Sequence, residues 1–199
     1  MTMRQASAAS GMATAGWTGW VRRAAAAGAV AVVVAVGLPG SASAAPEIVE
    51  EQGYVLECSG AADGYTASVS LYQNSILDAP VTSVTIETSA GTELGGEGTV
   101  AGDVFNDGTI DVDFALIDLE TRLPAGTATV AGSYELSGSP TPVRQPAIRD
   151  DGYIIVSTGT NTALSADLTL QYGDTAIPLT CDTAFAFDLT TRRQPIGNR

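Results

Sequence analysis

The sequence has no histidine and no lysine, because its nine Lys+Arg residues are all arginine. Histidine is the usual general base and a common nitrogen ligand of metals, and lysine forms the Schiff bases of covalent catalysis. Their absence excludes a Ser-His-Asp or Cys-His relay, a lysine imine and a histidine-type zinc or iron centre. Tryptophan is confined to Trp17 and Trp20, and cysteine to Cys58 and Cys181. Long apolar runs are scarce too. The longest, Ala24 to Leu38, has fifteen residues, short of the roughly 20 that a helix needs to cross a bilayer.

That run has the setting of a secretory signal. Arg22-Arg23 precede it, and Ala42-Ser43-Ala44 follow as a small-residue processing site, so cleavage is expected before Ala45. The paired arginines also fit a twin-arginine signal, and both export routes stay open. No cysteine adjoins the cleavage site and no hydrophobic tail closes the sequence. A released product, extracellular or associated with the cell envelope, with no stable membrane anchor, is therefore the expectation.

All 22 acidic residues lie beyond Ala44, against six arginines, so the mature chain carries a net charge of −16. Binding to a phosphate backbone displaces counterions through clustered cations, which makes nucleic acid an unsuitable partner for a chain this acidic. The two cysteines are 123 residues apart, lack the C-x-x-C spacing of redox or metal pairs, and would be exported to an oxidising compartment. They are expected to form a disulfide.

Beyond the leader the hydrophobic pattern has period two. Tyr54, Leu56 and Cys58 alternate with Val55 and Glu57, and the alternation returns at Tyr65–Leu71, Ile110–Leu116, Leu164–Leu170 and Ile177–Cys181. Asp63-Gly64, Asp107-Gly108 and Asp151-Gly152 supply hairpin turns, as does Gly173-Asp174. The expectation is an all-β protein: a single antiparallel β-sandwich of about eight or nine strands over residues 45–191, after a signal peptide at 1–44. Asp113 could instead cap a short helix running towards Pro124, but the alternation Ile110, Val112, Phe114, Leu116 favours a strand. Residues 138–149 hold Pro140, Pro142 and Pro146 and read as a long extended loop, and 192–199 as a flexible basic tail.

Three constellations invite chemistry. Asp103, Asp107 and Asp111, with Gly108 and Ile110, fall at positions 1, 5, 9, 6 and 8 of a calcium loop. This run resembles the loops of dockerin and EF-hand modules, which implies calcium. Phe105 and Phe114, however, occupy two ligand positions, and a plain hairpin turn explains the same residues. A glycosidase needs two carboxylates across a cleft, yet nothing distinguishes a pair among Glu87, Glu93, Glu97, Glu120 and Glu135, and no catalytic residue is assigned. Finally, Arg144 and Arg149 form a small basic island on an acidic body, a candidate partner surface.

The alanine-rich leader, a cysteine near each end of the mature chain, and the phrases Ala125–Gly132 and Ile177–Cys181 resemble secreted, disulfide-linked β-sandwich proteins of high-GC Gram-positive bacteria. The resemblance implies fold and export without an activity. The functional expectation is a non-enzymatic module, without a cofactor, that binds a protein or cell-wall component. A calcium-stabilised module and a carboxylate-based glycan-acting enzyme are the alternatives.

Overall fold

The computed structural model describes residues 46–99 and 102–196, so the expected signal peptide lies outside the described residues. Ten strands follow in order: β1 (Glu47–Ala62), β2 (Tyr65–Asn74), β3 (Val81–Thr88), β4 (Glu93–Thr99), β5 (Thr109–Asp118), β6 (Pro124–Leu136), β7 (Thr141–Arg144), β8 (Ile148–Asp150), β9 (Tyr153–Tyr172) and β10 (Thr175–Pro195). No helix occurs among the described residues, and the segment after Asp113 is strand β5.

The all-β antiparallel expectation holds, and every strand belongs to one sheet. Strands β1 to β6 pair successively, β6 pairs β9, β9 pairs β10, and β10 pairs β1, so eight strands close into a ring. The two apolar layers expected to face each other are opposite walls of this closed sheet. Within the ring, closure leaves no free edge and gives the dry faces a common interior.

Leu56, Leu71, Ile86, Ile110, Phe114, Leu168, Leu170 and Ile177 fill that interior and are fully buried. Packing leaves so little space that β4 carries glycine where it faces the largest ring: a Cβ at Gly98 would collide with Thr82 Oγ1 and the Phe114 ring. The hairpin tips follow from turn chemistry. Asp63, Asp107 and Asp151 all adopt positive φ, each followed by a positive-φ glycine, as a type I′ turn requires.

Cys58 and Cys181 are direct cross-strand partners on β1 and β10 and form the expected disulfide. Beside them Asp182 has no partner on β1, which makes it the extra residue of a β-bulge. The disulfide is compatible with an extracellular protein.

Two expectations need correction. The Pro-rich segment is not an unpaired loop: β7 and β8 both pair with β9, prolonging the ladder that β6 began. Pro140 and Pro146 fall in the interruptions between these pieces, where a residue without an N–H leaves no ladder bond unmade. Nor is 192–195 a flexible tail, since β10 runs to Pro195, with Arg192 and Arg193 paired to β9 on one side and β1 on the other.

The long strands β9, β10 and β1 therefore extend beyond the ring, and there the buried side of the sheet changes. Within the ring the buried positions of β1 are Leu56 and Cys58; beyond it they are Gly53 and Glu51, of the opposite parity. Phe187, Leu189 and Ile155 are buried on this second face. Phe187 stacks on Tyr72, Glu51 accepts a hydrogen bond from the Asn74 side-chain amide at 3.1 Å, and the Ser157 and Thr191 hydroxyls bond at 2.7 Å. These side-chain bonds offset the cost of burying polar groups.

Candidate functional site

The calcium-like run folds as a turn and a plug. Asn106 and Thr109 exchange backbone hydrogen bonds at 3.2 and 2.8 Å across Asp107-Gly108, a two-residue hairpin. Just upstream, the Val104 and Phe105 amides both donate to Gln73 Oε1, at 2.9 and 3.2 Å. This clamp turns the Phe105 ring inwards, where it stacks on Tyr54 with centroids 4.7 Å apart and meets Tyr134 edge-on at 5.3 Å. Phe105 is only 6% exposed. Its apolar ring at a calcium-loop ligand position is therefore packing for one end of the closed sheet.

Asp103, Asp107 and Asp111 are solvent-exposed. Among the described residues no three Asp, Glu or Cys side chains are grouped to hold a metal ion, so these three do not form a set. Burial pushes the Tyr134 phenol above its ordinary value, with the neighbouring Tyr54 adding to the shift. Burial likewise raises Tyr72, only partly opposed by its hydrogen bond from Asn74. Tyr54 and Tyr134 pack against the interior, Tyr65 meets Tyr172 edge-on, and Tyr72 lies against Phe187, so five of the six tyrosines are engaged in aromatic packing.

The five glutamates considered for hydrolysis do not face one another across a cleft: the one adjacent pair lies side by side on one sheet. Glu87 and Glu93 are cross-strand partners on β3 and β4, and Glu97 lies farther along β4. Glu120 sits in the turn after β5, and Glu135 near the end of β6. Asp118 organises that turn by accepting from the Glu120 and Thr121 amides, which holds its carboxyl below the usual range, the Thr121 amide foremost.

Arg144 and Arg149 are both exposed and lie on the short strands β7 and β8. The register adds a third member. Arg144 pairs with Thr158, Arg149 with Ile154, and Arg192 with Val156. Directly opposed residues project from the same side of a sheet, as do alternate residues along a strand. All three arginines therefore share the face of Ile154, Val156 and Thr158. Arg193 lies on the other face, 3.4 Å from Glu47 and with its guanidinium carbon 4.7 Å from the Tyr153 ring centroid. Sequence reasoning missed Arg192 by assigning it to a tail. The alternation Phe185, Phe187, Leu189 was the signal that the last strand continues.

Comparison of the chain with protein-family models, with curated proteins and with solved structures yields no match.

Proposed function

We propose that this is a non-enzymatic secreted or envelope-associated β-protein that binds a protein or cell-wall component on its outer surface. The observation that carries the reading is the exposed basic face of Arg144, Arg149 and Arg192, set on a chain of opposite overall charge. The ring interior supports it, since it is filled by side chains and its end is packed by Phe105, Tyr54 and Tyr134. Export by the leader, followed by cleavage before Ala45, would deliver the protein to the compartment where its disulfide persists.

Affinity capture from the producing cell's culture, with the mature protein as bait, tests this. A partner retained by the unsubstituted protein and lost with Arg144→Glu/Arg149→Glu is the expected result. Capture that is indifferent to both substitutions would overturn the choice of surface, and sugar release by the purified protein would overturn the non-enzymatic reading.

A further inference from the structure

We infer that the Arg144, Arg149 and Arg192 face takes a phosphodiester-linked polyol or glycan, an assignment that rests on the surface-binding reading above. The geometry begins with the ladder. Arg144 and Arg149 flank β9 on one side, opposite positions four residues apart, and Arg192 flanks it on the other, opposite the residue midway. With about 3.3 Å per residue and about 4.8 Å between strands, the three Cα atoms form a triangle with sides of about 12 to 13 Å around Val156. Long, exposed arginine side chains at such vertices can converge on anionic groups above the centre. Guanidinium forks match phosphate oxygens two at a time.

The chemistry beside the triangle narrows the ligand. Thr158, Thr160 and Thr162 occupy alternate positions of β9 on this same face. A hydroxyl row thus runs from the arginines back towards the ring. A polymer that alternates phosphates with free hydroxyls meets both features, whereas an acidic peptide would satisfy the arginines and leave the row to water. Charge also limits the footprint. Glu50 and Asp188 share the face, bonded to Thr190 and Gln52 at 3.0 and 3.4 Å; these neutral donors leave both carboxylates charged, and the rest of the chain is acidic. A polyanion is therefore attracted at the arginine corner alone, where the register clusters three cations that the sequence scatters, and is repelled elsewhere.

Binding of poly(glycerol phosphate) to the disulfide-intact mature protein, followed by calorimetry, tests the inference. Arg144→Ala/Arg149→Ala/Arg192→Ala should weaken it roughly thirtyfold, the sum of three exposed charge contacts, at unchanged melting temperature. Arg122→Asn, in a distant turn, should leave it unchanged. Thr158→Val/Thr160→Val should weaken it roughly fivefold, as expected for two lost hydroxyl bonds, without affecting inorganic polyphosphate. The logarithm of the affinity should fall with the logarithm of salt at a slope of about −2, as for three neutralised phosphates on a flexible chain. Full affinity in the triple-arginine variant would overturn the site, and polyglutamate binding as tightly as the polyol phosphate would overturn the ligand. No binding by the unsubstituted protein would also overturn the ligand; a captured partner still lost with the arginine variants would then preserve the surface-binding reading.

Discussion

Phe187 on β10 lies over Gly53, its direct partner on β1, with the ring tip 2.6 Å from where a Cβ of residue 53 would stand. The pair sits where the sheet leaves the ring and its buried side changes, and Tyr72 stacks on the same ring. Gly53→Ala would drive a methyl group into Phe187 and the Gln73 carbonyl. Overpacking of this kind costs about 3 kcal/mol, and Phe187→Ala should cost a similar amount by leaving a cavity. Denaturant melts of both variants check this. Unaltered stability in Gly53→Ala would contradict the ring placement.

The disulfide closes a loop of 123 residues, for which chain entropy gives a stabilisation of about 5 kcal/mol. Purified protein should show no alkylatable thiol when denatured, and reduction should lower the denaturation midpoint accordingly. Since Cys58 is 4% exposed, reduction under native conditions should be slow and should quicken in mild denaturant.

Alkali should destabilise the fold through its tyrosines. Burial raises the folded-state values of Tyr72 and Tyr134 above the ordinary 10.0. The folded protein then holds phenolic protons that the unfolded chain releases. Their stabilisation is complete below about pH 10 and is lost as pH rises through the raised values. Phenolate absorbance should therefore show late-titrating tyrosines, with stability falling over the same range. Six tyrosines titrating together near the ordinary value would count against the packing.

Calcium should bind no tighter than roughly millimolar, the weak end of extracellular modules. Phe105 belongs to an aromatic cluster and Asp107 to a hairpin turn. Calorimetry on the mature protein decides the matter, and a micromolar affinity abolished by Asp103→Ala or Asp107→Ala would require a different arrangement of this segment.

Limited trypsin digestion should separate the edge strands from the paired C-terminal strand. Arg144 and Arg149 lie on strands of four and three residues at the sheet's edge, which can peel away and be cut. Arg192 and Arg193 have partners on both sides and should resist. The two large fragments should stay joined by Cys58–Cys181. Early cleavage at Arg192 or Arg193 would restore the tail reading.

The sequence by itself determined the ring strands, their Asp-Gly turns and the disulfide, because these rest on local chemistry. A period of two marks a strand with one dry face, Asp-Gly supports the positive φ of a tight turn, and two cysteines have one intramolecular pairing available. It did not determine how the dry faces meet. Two stacked sheets and one closed sheet share the same alternation, and only the ladders from β6 to β9 and from β10 to β1 distinguish them. The Pro-rich segment misled for a related reason: missing N–H groups argue against pairing locally, but β9 supplies a partner from later in the chain, with Pro140 and Pro146 in the interruptions and Pro142 within β7 opposite Thr160. Phe105 occupies a ligand position of the calcium pattern, and it is Gln73, 32 residues away, that fixes its amide. The basic face had the same origin, since Arg144, Arg149 and Arg192 are scattered along the chain and only the register of three strands against β9 gives them one side of one sheet.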